Sequence, residues 1–278
     1  MVELRPDIRL EESEDIHVFV ADAELSDSDR KELRFWQTSP EGPGGTFYES
    51  IRVKGPELPL FEAQIPRIGL RPGLCCLEVG AGQAWAALML KRAVPGAVVH
   101  ACELSADALR VAAHWERAMG VGLDGKWAAS SRNLPFAAAQ FDRVFAFQAF
   151  HHFGRQGDFS APLGEMLRVL KLGGRLLLLC EPSAPGFLLE RVRRGNNRTR
   201  QVTLGADVDE DVLVPGRLEA LARAQGADVR IEFDTSWAFR DLSLKVVLIF
   251  ALVRAFPWLG RLTATGIHAT LTKPAAGP

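Results

Sequence analysis

Four cysteines and a single tyrosine among 278 residues are the first scarcities of this chain. The cysteines, at 75, 76, 102 and 180, show neither the paired spacing of a zinc site nor a disulfide framework. They read as small core residues of a reducing compartment, and no metal is expected. An excess of charge is also lacking: 33 basic residues meet 34 acidic ones, for a formal net charge of −1. That balance argues against a nucleic-acid partner held by bulk electrostatics. No apolar run approaches the roughly 20 residues of a membrane-crossing helix, so no transmembrane segment is expected. The first 32 residues carry eleven acids against four bases, the reverse of a targeting leader, which predicts a cytoplasmic location. No internal repeat or low-complexity tract is evident.

What remains, at 47% hydrophobic residues, is an ordinary globular chain long enough for one large α/β domain with additions. Its most informative stretch is Cys75-Cys76-Leu77-Glu78-Val79-Gly80-Ala81-Gly82, an apolar run that ends in an acid and breaks into a glycine turn. A side chain at Gly80 or Gly82 would obstruct both a tight strand-to-helix turn and the approach of a ligand to the backbone. Val98–Glu103 is a second short apolar run ending in an acid, and a carboxylate there can accept both hydroxyl protons of a ribose. The following residues open a helix, with Ser105 as N-cap and Gly120 as the stop. Strand, glycine turn, helix, strand, ribose acid and helix make a nucleoside-binding α/β half. A dinucleotide-binding reading is poor, because the third glycine of Gly-x-Gly-x-x-Gly falls on Trp85.

Four blocks, in this order, resemble the class I S-adenosylmethionine-dependent methyltransferases, in particular the type 11 small-molecule group. They are Leu77–Gly82; Glu103; Asn133-Leu134-Pro135-Phe136 with Phe141-Asp142-Arg143-Val144; and Arg168–Arg175. The resemblance covers roughly residues 70–185. Two positions depart from the pattern: Ala84 stands for the last glycine of Glu-x-Gly-x-Gly-x-Gly, and Ser130 for the acid often found four residues before the Leu-Pro-Phe leucine.

The resemblance implies S-adenosyl-L-methionine as cofactor, held by Glu78, Gly80, Ala81, Gly82, Glu103, Leu104, Asn133, Leu134 and Gln148. It also implies a Rossmann-like, doubly wound, mostly parallel sheet with a final antiparallel strand. Residues 1–55 read as an N-terminal extension or cap in which Tyr48 is a candidate substrate contact. Residues 56–278 read as the methyltransferase domain, with insertions near 186–214 and 240–262. Strands are predicted near 74–79, 98–103, 126–129, 142–148, 174–180, 228–233 and 266–273, and helices near 83–92, 106–119, 161–170 and 216–225.

Methyl transfer from a sulfonium is an in-line displacement, so a protein contributes by positioning the nucleophile and removing its proton. The adjacent His151 and His152, at a predicted strand end, are the candidate bases, and His151 also a candidate substrate contact. The alternative is that they cap the following turn. No Asn/Asp-Pro-Pro-Tyr/Phe follows the fourth strand and no Pro-Cys occurs, which disfavours methylation of DNA bases. The expected reaction is methyl transfer to an O, N, C or S nucleophile of a small, apolar or partly anionic metabolite. Another group transfer from the same cofactor stays open, and a catalytically inactive cofactor-binding partner or regulatory subunit is the alternative from a different class.

Two stretches stand outside this scheme. Arg191–Arg200 has five arginines and no acid and is followed by the acidic Asp207–Asp211; it reads either as an anion-binding loop or as a solvated loop paired with its neighbour. Leu242–Gly260 is strongly apolar but too short to span a bilayer. Lys245 and Arg254 fall on opposite sides of a helix there, so a helix packed over the substrate side or in a homodimer is expected ahead of a membrane-surface contact.

Overall fold

The computed structural model describes residues 2–6, 11–13, 15–19, 25–154, 157–195, 211–236 and 244–275. The arginines at 198 and 200 and the acids at 207–210 lie outside the described residues. Nine strands form one sheet: β1 (Glu11–Ser13), β2 (Ile16–Phe19), β3 (Cys75–Val79), β4 (Val98–Glu103), β5 (Gly125–Ala129), β6 (Phe141–Phe147), β7 (Leu170–Ser183), β8 (Asp228–Asp234) and β9 (Thr265–Thr272). The helices are α1 (Asp27–Thr38), α2 (Phe47–Lys54), α3 (Leu58–Glu62), α4 (Ile65–Ile68), α5 (Trp85–Ala93), α6 (Ala106–Arg110), α7 (Ala112–Met119), α8 (Ser160–Val169), α9 (189–195), α10 (Pro215–Ala224) and α11 (Leu244–Ala255).

The strand order is β1-β2-β5-β4-β3-β6-β7-β9-β8. The chain starts its parallel core at β3, builds β4 and β5 to one side, then returns to lay β6 and β7 on the other. Beside β3, where the direction of winding reverses, neighbouring connections leave to opposite faces and open a crevice at the carboxyl ends. The pleat explains why the core strands read as continuous apolar runs. Leu77, Val79, Val144, Ala146, Leu176 and Leu178 enter one core cluster. Their neighbours Cys76, Phe145, Phe147, Leu177 and Leu179 enter the other, so both faces of the sheet are covered.

The final strand is antiparallel, as expected: β9 inserts between β7 and β8 and runs against both. The helix expected over 106–119 breaks at Val111 into α6 and α7, with the Ser105 side chain accepting from the Ala108 N–H and Gly120 closing α7 at φ 68°. The stretch read as an N-terminal extension is joined to the sheet, since β2 pairs in parallel with β5. Beyond it, the backbone of Glu3 and Arg5 bonds to Ala137 and Pro135.

Phe61 of α3 is fully buried and meets Trp85, Phe145 and Phe147 at ring-centroid distances of 5.8, 5.7 and 5.1 Å. This aromatic cluster seats the 47–68 helices on the sheet behind the crevice. Phe61→Ala is expected to lower the unfolding free energy by about 3–5 kcal/mol, measured by urea denaturation.

Candidate functional site

The chemistry of the site begins with a carboxylate taken out of water. Glu103, the last residue of β4, is 7% exposed. Its Oε2 accepts from the Gly82 N–H at 2.9 Å, and its Oε1 accepts from the N–H groups of Leu104 at 2.8 Å and Ser105 at 3.2 Å. Burial, reinforced by the nearby Glu32 carboxylate, pushes its pKa up to about 7, while the three backbone donors pull the other way.

The turn it supports is held from several sides. The N–H groups of Gly80 and Ala81 donate to the Cys102 carbonyl at 2.9 and 3.1 Å. Glu78 is buried, and its Oε2 accepts the Ala87 N–H at 2.8 Å in the first turn of α5. It supplies the cap that Ala84, itself left-handed at φ 57°, cannot. Burial drives the Glu78 carboxyl well above the usual carboxylate range, opposed by that hydrogen bond. Gly80 is left-handed at φ 73°, and an added Cβ would lie 2.6 Å from the Phe153 ring and 2.7 Å from the Ala149 methyl. The need for glycine at 80 thus comes from the segment after β6 as well as from the turn.

A cleft of about 260 Å³ opens over these groups. Of the residues expected at the cofactor, Glu78, Gly80, Ala81, Gly82, Glu103, Leu104 and Gln148 line it. Asn133 and Leu134 do not. Leu134 is fully buried in the core and donates its N–H to Glu165, and Asn133 accepts from Arg5 at 2.7 Å. The preceding Ser130, Ser131 and Arg132 take that wall of the cleft. Tyr48 is 71% exposed on α2, outside the lining.

The two histidines separate. His152 lines the cleft, whereas His151 is buried with its Nδ1 2.7 Å from Glu181 Oε2. Glu181 also accepts the N–H groups of Ala149, Phe150 and His151, so it caps the short 3-10 turn Phe150–His152. The cap of that turn is thus Glu181, and His151 packs its ring against this cap, outside the cleft lining. Gln148 has φ 50°, and its Nε2 is buried with no hydrogen-bond acceptor among the described residues.

Helix α1, absent from the predicted elements, borders the cleft through Asp29, Glu32, Phe35 and Trp36. A Cβ on Gly82 would lie 3.3 Å from the Trp36 ring. Asp29 pairs with Arg132 at 3.0 Å, joining α1 to the loop after β5. Gln83 was missed as well. It is fully buried, donates to the Glu41 carbonyl and Ser50 Oγ, and accepts from Trp115 Nε1. The Ser26-x-x-Asp29 capping box was a readable sign of α1; the surface α1 covers is not written in it.

Among the described residues, one buried group has metal-type donors: Cys180, Asp234 and His268, within 4.8 Å of one another. The Cys180 N–H donates to His268 Nδ1, so the ring proton sits on Nε2, 3.7 Å from Asp234 Oδ1. The Nδ1 lone pair is taken by the Cys180 N–H, so that nitrogen is not open to a cation. Burial works to raise the Asp234 pKa, but the His268 contact and Ser236 outweigh it and hold it at about 2.

A sequence profile described as a methyltransferase domain matches residues 77–178, the span from the glycine-turn strand to β7. Residues 77–178 thus resemble a methyltransferase domain. Over 110 residues, 39% of the chain, it is 36% identical to the demethylmenaquinone methyltransferase of Thermus thermophilus. Over 137 residues, 47% of the chain, it is 32% identical to squalene methyltransferase 2 of Botryococcus braunii. The chain spans 48% and 35% of the lengths of these two relatives. A similar fold is that of geranyl diphosphate C-methyltransferase from Streptomyces coelicolor, with a TM-score of 0.63 at 14% identity over 90% of this chain and 99% of that one.

The Glu103 carboxyl that lines the cleft is also a pH-sensitive element of the fold. The folded state raises the Glu103 pKa from 4.5 to about 7, so it favours the neutral acid. The associated stability is fully present below about pH 4.5 and is lost as pH rises through about 7. Glu103→Gln is neutral throughout. Between pH 5 and pH 8 the variant should gain roughly 2–3 kcal/mol on the wild type, read as the difference in urea-unfolding free energies.

Proposed function

We propose that the cleft binds S-adenosyl-L-methionine and that the chain transfers a methyl group to a nucleophile on a small, apolar or partly anionic molecule. The observation that carries this reading is Glu103. A carboxylate at a strand end beside the winding reversal, bonded across a glycine turn and lining the same cleft as His152, suits a ribose with two vicinal hydroxyls. Two further features support the fit. Gln148 brings an unsatisfied buried amide donor to the cleft lining, and the Gly80–Gly82 turn keeps side chains out of the space beside it.

In this reading Glu103 accepts the ribose hydroxyls, and the Glu78–Gly82 turn lies along the sugar and amino-acid portion. Gln148 offers its Nε2 donors to a carboxylate or carbonyl. Ser130 and Arg132 stand where the base would lie, with a hydroxyl and backbone groups in place of the acid common in the family. The bound cofactor supplies the activated methyl on its sulfonium. His152 takes the proton from the substrate nucleophile or orients it, while Glu181, through the 3-10 turn, holds His152 in position. Helix α1 shields the cleft from water through Phe35 and Trp36. The relatives named for a quinone and for squalene support an apolar substrate.

Glu103→Ala is expected to weaken cofactor binding about tenfold or more in calorimetry, because a charged acceptor is removed. Wild-type affinity should rise as the pH passes through about 7, since hydroxyl donors favour the ionised carboxylate. Unchanged affinity in the variant would remove Glu103 from the site. His152→Ala should cut formation of S-adenosylhomocysteine by about 10²–10⁴-fold with cofactor affinity preserved. Equal turnover in that variant would show that positioning alone suffices.

A further inference from the structure

Helix α11 reads Leu-Lys-Val-Val-Leu-Ile-Phe-Ala-Leu-Val-Arg-Ala, apolar around nearly its whole circumference, yet only one side is covered. At about 100° per residue, Val246, Ile249, Phe250 and Val253 share one face, and Phe250 and Val253 are buried there. Leu244, Leu248 and Leu252 share the opposite face and are 72%, 55% and 52% exposed. The patch continues past the helix through Phe256, Trp258 and Leu262, at 53%, 63% and 51%. A contiguous exposed apolar surface of this kind marks an interaction site.

We infer that this face of α11 docks on an anionic lipid surface. The first reason is charge. Residues 244–275 contain no aspartate or glutamate, and the cations of α11 are placed at its two ends. Lys245 sits in the first turn and Arg254 in the last. On a helical projection they fall on opposite flanks of the Leu244–Leu248–Leu252 stripe. The same separation that looked unsuited to a membrane-surface helix places one long, flexible cation on each shoulder of the apolar stripe, from which both can reach outward to headgroups. Neither forms an ion pair among the described residues; Arg261, by contrast, is held by Glu219. A second copy docked face to face would bring these cations against one another, whereas anionic headgroups complement them.

The second reason is position. β7 is parallel to the core strands and β9 runs against it, so the connection between β8 and β9 emerges at the carboxyl edge of the sheet. Helix α11 lies in that connection. Phe187, 73% exposed, follows β7 at the same edge. The cleft residues at the ends of β3, β4 and β6 belong to this edge too, so α11 and the cleft share one edge of the sheet. The helix is held there through the 3-10 stretch Pro257–Leu262, in which Gly260 lies so close to the Phe233 ring that an added Cβ would overlap it. Exposed Trp258 and Phe256 then sit where aromatic side chains favour the membrane–water interface.

The test uses the full chain in co-sedimentation with phosphatidylcholine vesicles, with and without phosphatidylglycerol. The wild type should pellet with the phosphatidylglycerol vesicles. Leu248→Glu/Leu252→Glu should lower that partition about tenfold or more. Lys245→Ser/Arg254→Ser should lower it by about 30-fold on the anionic vesicles and leave it nearly unchanged on phosphatidylcholine alone. Both double variants replace exposed side chains, so their melting temperature and cofactor affinity should match the wild type, which separates failure of docking from failure of the cleft assignment. A wild type that stays in the supernatant with both vesicle types would overturn the proposal. So would a wild-type dimer that Leu248→Glu/Leu252→Glu converts to monomer in light scattering, because the face would then belong to a second copy.

Discussion

Withdrawing the Glu103 carboxyl from water at the end of β4 is the constraint around which the rest of the site is arranged. The acid is tolerable there because three backbone N–H groups converge on it, one from the glycine turn and two from the entry to α6. Those donors exist only if β3 and β4 are in register and if the chain at Gly82 can adopt a left-handed conformation. The turn, the register and the helix entry are thus one cooperative unit. The remaining imbalance shows in the raised pKa, driven by burial and the nearby Glu32 carboxylate.

The N-terminal segment completes that unit instead of standing apart from it. Trp36 lies on Gly82, Asp29 reaches Arg132, and Gln83 binds the segment twice from below. Each contact joins a residue before position 55 to the β3–β4–β5 half of the sheet. Through these contacts the N-terminal segment forms one wall of the cleft. The β2–β5 pairing gives the same segment a second attachment at the sheet edge.

On the other side of β3, buried polar groups shape the backbone. Glu181 gathers three N–H groups and the His151 ring, which sets the turn that carries His152 to the cleft. Next to it, Cys180 takes a left-handed φ of 55° at a bulge in β7 and donates its N–H to His268. The chain beyond these strands carries α11, whose covered face is the ordinary apolar contact and whose open face is not. One helix therefore does two things, seating itself on the domain and presenting an apolar surface outward.

Local sequence determined the parallel core and the glycine-turn and acid ends of β3 and β4. Apolar runs buried on both faces, the Glu78–Gly82 turn, the Glu103 strand end, the Ser105 cap and the Gly120 stop are all signals written within a few residues of one another. Tertiary structure decided what such signals cannot reach. The resemblance puts His152 ahead of its neighbour His151, but only the fold places Glu181, 30 residues later, against His151 and leaves His152 at the cleft. Leu134 belongs to a recognisable motif, yet the core takes its side chain and the cleft receives Ser130–Arg132. Helix α1 was hidden for the same reason, since its capping box announces a helix but no partner surface. Contacts between residues distant in sequence depend on how the sheet is wound, and that is settled only when both of its faces are buried at once.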